Sequence, residues 1–237
     1  MRYAILLMAL ALATPLAVTE TQALGSALLS RVETGFSPDK ADALLAEAAL
    51  APQPERDLYV GIIYHNLALA KPAAGYEEKA IERLRAAEVK GSQNENLARA
   101  YEGSCITLKA AGRDKQGDAA GATLLLEKGF ALLDAAVKAE PNRIDLRFLR
   151  AENSVDVSAS SPFSRVPEAK ADCAVIQAHE AELSPAEAAA LHLALGKIAQ
   201  LERRVDLALR EWERAVKLAP ASPGAAEARK LISRYED

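Results

Sequence analysis

Residues 189–220, AALHLALGKIAQLERRVDLALREWERAVKLAP, read as two helices folded back on each other, and they decide the fold. Leu195 and Gly196 are followed at fixed intervals by Ala208, Trp212, Ala215 and Pro220. Each residue type has a mechanical reason. Gly196 and Ala208 are small where two helices approach closely, and Trp212 fills the gap left between them. Pro220 lacks a backbone N–H, so it stops the second helix and turns the chain.

This spacing resembles the tetratricopeptide repeat, and weaker versions of it recur upstream. Val60, Gly61 and Tyr64, then Ala80, Leu84 and Ala87, occupy first- and second-helix positions of one pair. Tyr101, Gly103 and Ile106, then Leu133, Ala136 and Pro141, occupy those of another, with Gly129 where the pattern has Ala. The pairs fall at about 54–91, 92–140, 141–183 and 184–220. Recurrence at this period is the signature of a helical solenoid, in which no single pair buries its own apolar face. The resemblance implies an all-α fold: an α-solenoid of about four antiparallel helix pairs over residues 24–237, with N- and C-terminal capping helices. Ser37-Pro38-Asp39 opens the first cap, Ser184-Pro185-Ala186-Glu187 reads as a capping box before the last pair, and Ser222-Pro223 opens the C-terminal cap at 222–235. The connections near Lys71–Gly75 and Gly112–Gly121 are longer than the pattern allows. Pro162 and Pro167 interrupt the third pair, whose second helix is expected to carry Ala171, Ala174, Val175 and Ala178.

Composition agrees with an all-helical class. Half of the 237 residues are hydrophobic but only 5% are aromatic, so the helices pack through small side chains. The net charge of −4 comes with no basic stripe long enough to neutralise several phosphates, which argues against nucleic acid as a partner. Residues 1–23 read as a signal peptide, with Arg2 ahead of the apolar run Ala4–Ala13 and Thr21-Gln22-Ala23 as the cleavage site. That run is shorter than the roughly 20 residues a transmembrane helix needs. A periplasmic or secreted protein without a membrane span after cleavage is expected; the alternative is anchoring by an uncleaved N-terminal segment.

Little in the sequence carries chemistry. His65, His179 and His192 have no metal-ligand spacing, no G-x-S-x-G or phosphate-cradling glycine motif is present, and neither catalysis nor a cofactor is expected. Cys105 and Cys173 could form a disulfide in an exported protein, or each could pack as a small apolar residue. The sharpest polar feature is Arg143, Arg147 and Arg150, which with Ser154 fall within about 60° of one another on a helix. Apolar residues flank the strip on both sides. One reading is a groove that binds a carboxylate, since a guanidinium fork matches that geometry. The other is a strip paired with surface acids such as Glu140 or Glu152. The resemblance implies a non-catalytic scaffold that binds a protein or peptide partner in the cell envelope. A second expectation is delivery of a small anionic solute held at the arginines, with the long connections closing over it. The sequence leaves the oligomeric state open.

Overall fold

A computed structural model describes residues 27–32, 36–72 and 74–235. The expected signal segment, 1–23, lies outside them, as does Ala73 of the first long connection. All regular structure among the described residues is helical. After a helical stretch at 27–32 and a 3-10 turn at Pro38–Lys40 come α1 (Ala41–Ala48), α2 (Glu55–Ala70), α3 (Tyr76–Ala87), α4 (Glu95–Lys115) and α5 (Ala119–Ala139). These are followed by α6 (Ile144–Ser160), α7 (Val166–Ala178), α8 (Pro185–Leu201), α9 (Val205–Leu218) and α10 (Pro223–Ile232). No helix among the described residues is long and apolar enough to cross a membrane.

Neighbouring helices pack in pairs: α2 with α3, α4 with α5, α6 with α7, and α8 with α9. Each first helix also touches the next first helix, and α3, α5 and α7 each lean on the first helix of the pair that follows. α1 packs on α2 and α10 on α8 and α9. Shared helices link three apolar cores. Leu146 and Leu149 of α6 join the first core while Ala151 and Val155 join the second. On α8, Leu191 and Ile198 face the second core while Leu193 and Ala199 face the third.

Small residues set how closely the paired helices approach. A methyl group on Gly196 would fall 2.3 Å from Nε1 of the fully buried Trp212. In the second pair the two backbones themselves meet, since a Cβ on Gly103 would lie 2.6 Å from the Gly129 carbonyl oxygen and one on Gly129 would lie 2.7 Å from that of Gly103. This explains why Gly129 replaces Ala.

The helix ends follow local chemistry. Ser184 and Glu187 form a reciprocal capping box, with the Ser184 N–H donating to Glu187 at 2.7 Å and the Glu187 N–H donating to Ser184 Oγ at 3.3 Å. The Ser222 hydroxyl accepts from the Ala225 N–H at 3.1 Å. The long connection expected at Gly112–Gly121 is mostly helix. α4 continues to Lys115, Gly117 takes the left-handed conformation (φ 82°), and Asp118 caps α5 by accepting from the Gly121 N–H at 2.9 Å. The extra residues therefore lengthen both helices and leave a turn of only 116–118. The second helix of the third pair, α7, carries the expected residues, but they do not form its buried face. Ala171, Ala174 and Ala178 are exposed and Val175 is half-buried, whereas Ala169, Asp172, Cys173 and Ile176 are buried. Alanine occurs on both sides of this helix, so its position does not mark the core.

Candidate functional site

Each second helix packs on its own first helix and on the next one, so consecutive second helices flank a groove over the first helix between them. The first groove has α3 and α5 as walls and α4 as floor. The next has α5, α7 and α6, and the last has α7, α9 and α8. What fills each groove depends on the side chains the floor helix turns into it.

In the middle groove the floor presents Arg147 and Arg150. Both reach Asp172 of α7, which is fully buried: Arg147 Nη1 donates to Oδ1, and Arg150 donates to both oxygens, each at 2.7 Å. A bidentate pair of this kind is among the strongest hydrogen-bonded ion pairs. From the opposite wall Asp134 accepts from Arg150 at 3.0 Å and from Arg165 at 2.6 Å. Burial works against the Arg150 charge, but hydrogen bonds and charge from Asp172 and Asp134 outweigh it and leave its pKa raised. The 161–165 connection closes the top: its Arg165 lies 4.4 Å over the Phe130 ring and its Phe163 stacks on that ring at 5.8 Å.

The expected arginine strip is therefore split and satisfied from within. The carboxylate held by Arg147 and Arg150 is the chain's own. Arg143 stands just ahead of α6 and turns to Asp145, Glu140, Asn94 and the Gln93 carbonyl. Ser154 is buried, with no hydrogen-bond partner for its hydroxyl among the described residues. The connection expected to close over a ligand is pinned down, because the Arg165 N–H donates to Ser158 Oγ at 2.7 Å. Sequence reasoning did not single out Asp172, whose signal was an acid standing within the buried Ala169, Cys173, Ile176 stripe.

The last groove is filled in a similar way. His192, on its floor, is fully buried with Nδ1 2.6 Å from Glu211 of α9 and Nε2 3.1 Å from Glu180, to which Arg214 also donates. Along the first helices runs another polar group that sequence reasoning missed. His65 Nε2 lies 2.8 Å from Ser104 Oγ, and Asn153 joins Ser104 to Thr107. A serine at that distance from an imidazole is a geometry a nucleophile would need. Here both residues are buried and Ser104 is shared with Asn153, while burial pushes the His65 pKa down to about 4 and keeps the ring neutral. The seam joins α2, α4 and α6.

The first groove is the exception. It is an open cleft of about 370 Å³, with Ile106 on its floor and Ile81 and Leu125 on its walls. Glu78, Glu82 and Arg85 stand on the α3 side, Lys128 on the α5 side and Lys109 on the floor helix. Lys109 pairs with Glu78 at 3.2 Å and Arg85 with the buried Glu102 at 2.8 Å, whereas Glu82 and Lys128 make no ion pair among the described residues. Leu124, next to the lip, is 67% exposed.

Cys105 and Cys173 are both free and buried, one in the first core and one in the second. They pack as apolar residues in separate cores and no disulfide joins them. Among the described residues, no group of three or more His, Cys, Asp or Glu side chains is placed to hold a metal. Comparison of the chain with protein-family models, with curated proteins and with solved structures finds no match.

Proposed function

We propose that the chain is an exported, non-catalytic interaction module, a tetratricopeptide-like solenoid of four helix pairs that holds a protein partner in the cell envelope. The repeat reading is supported by small residues recurring at the closest helix approaches, Gly61, Gly103 with Gly129, and Gly196. Export rests on the signal-like composition of residues 1–23, and N-terminal sequencing of the protein recovered from the envelope tests it, with a start at Leu24 expected. The observation that carries the binding function is the cleft between α3 and α5, an open space of about 370 Å³ whose ion pairs, Lys109–Glu78 and Arg85–Glu102, join the floor to the α3 wall and leave Leu125 half-buried on the other wall. An apolar concavity with charged rims is the kind of surface proteins use for partners. The anionic-solute reading has no comparable support, because Asp172 already occupies Arg147 and Arg150.

Affinity capture from a detergent-solubilised envelope fraction tests this reading. The wild-type chain is expected to retain a specific protein that Leu125→Asp, with an unchanged helical circular-dichroism spectrum, fails to retain. Equal retention by both forms would move the binding surface elsewhere, and retention by neither would remove the interaction role.

A further inference from the structure

Among the described residues, His192 is the one imidazole that meets a carboxylate at each ring nitrogen. It stands on α8 with no exposed surface. Nδ1 lies 2.6 Å from Glu211 of α9, and Nε2 lies 3.1 Å from Oε1 of Glu180, in the short turn Glu180–Glu182 after α7. Arg214 of α9 donates to the same Glu180 oxygen at 2.6 Å, so the turn, α8 and α9 meet at one ring. Other charged groups around α8 have other partners: Glu182 of the turn pairs with His179, Asp172 of α7 with Arg147 and Arg150, and Glu152 and Asp156 of α6 gather with Glu227 of α10 at Lys197.

An ionised carboxylate only accepts hydrogen bonds, and a neutral imidazole has a single N–H. Holding both contacts therefore takes a second proton. The Glu180 oxygen that faces the ring already accepts from Arg214, and imidazole is a stronger base than a carboxylate by about two pK units in water, so the ring carries that proton. The 2.6 Å contact to Glu211 has the length of a charge-assisted bond.

We propose that His192 is a proton-operated clamp on the last groove: doubly protonated, it ties the turn after α7 to α8 and α9, and on losing a proton it keeps Glu211 and releases Glu180. The shorter contact retains the N–H, and the bare Nε2 then faces the Glu180 oxygen lone pair to lone pair. Glu180 is left to Arg214, a half-exposed partner. The sign follows from linkage, since a contact that needs a proton in the fold adds stability at low pH and loses it as pH rises. The clamp does not depend on what the first cleft binds.

Two measurements on the full chain test it. Nitrogen-15 NMR is expected to show both His192 ring nitrogens protonated at about pH 5.5 and a neutral ring with its N–H on Nδ1 at about pH 8.5. Glu180→Gln offers an amide N–H that a bare Nε2 accepts, which removes the need for the second proton. Subtracting its thermal midpoint from that of the wild type cancels the titrations of Glu88 and His65, and the difference is expected to fall by about 3 °C over the same range. Unchanged protonation of the ring, a neutral ring with its N–H on Nε2, or a difference independent of pH would overturn the clamp. The NMR measurement needs no variant and decides alone if Glu180→Gln does not fold.

Discussion

The groove over α4 and the groove over α6 are built from the same parts and end in opposite states. Each lies between consecutive second helices, with the intervening first helix as floor. Over α6, Arg147 and Arg150 rise from the floor and meet a buried carboxylate from one wall and a half-exposed one from the other, so charge and space are both filled. Over α4 the floor offers Ile106 and the walls Ile81 and Leu125, and the two ion pairs, Lys109–Glu78 and Arg85–Glu102, tie the floor to the α3 wall alone. Guanidinium groups close a groove when both walls supply carboxylates, and aliphatic side chains too short to meet across it leave it open. The difference separates a join closed from both walls from one left open on one side.

The largest expected effect comes from breaking the closed join. Asp172→Ala leaves two mostly buried arginines without their shared partner, and urea denaturation should show a loss of about 3–5 kcal/mol. Next is the backbone contact beneath the open cleft. Gly103→Ala drives a methyl group against the Gly129 carbonyl, which cannot rotate away, and should cost about 3 kcal/mol. Gly61→Ala would lie 2.6 Å from Cγ of the fully buried Leu84, which has little room to move, and should cost about 2 kcal/mol by the same measurement.

A smaller effect depends on pH. Glu88, in the connection after α3, has one carboxyl oxygen buried without a hydrogen-bond partner and the other 3.5 Å from Arg99. Burial and the facing Glu102 carboxylate raise its pKa to about 7, against the pull of Arg99. A carboxyl whose pKa rises on folding contributes no penalty below its ordinary value of 4.5 and weakens the fold as pH climbs through about 7. Glu88→Gln should therefore stabilise the chain by about 1 kcal/mol at pH 8, screening of a partly exposed group allowed for, and change little at pH 4. His65 acts in the opposite direction: its pKa falls from 6.5 to about 4, so stability present above pH 6.5 is lost as pH drops through 4. Thermal melts of the wild type, Glu88→Gln and His65→Gln across this range separate the two. The smallest effect is expected at the lip of the open cleft. Leu124→Asp, at the 67% exposed position beside the lip, should shift stability by under about 0.5 kcal/mol while weakening partner capture. A large loss of stability there would mean that the cleft is a core and not a binding surface.

The pairing of helices was legible because close approach demands a small residue opposite a space-filling one, and Gly196 with Trp212 states that requirement within one short stretch. Caps at Ser184 and Ser222 were legible for the same reason, being local chemistry. The sites were less so. The arginine strip was visible on α6, but its partners Asp172 and Asp134 lie on helices to either side, and sequence spacing within one helix does not say which acid a long guanidinium will reach. The cleft was hidden further, since Ile81 and Ile106 are themselves buried in the first core and Leu125 packs against it. Only the separation of α3 from α5 leaves them facing a space.

The most direct test places a photo-cross-linking amino acid at Leu125, in the open cleft, or at Glu168, on the rim of the closed join, and irradiates cells expressing either variant. The account predicts a discrete protein adduct from position 125 and none from 168. Adducts of equal yield from both positions, or from 168 alone, would contradict it.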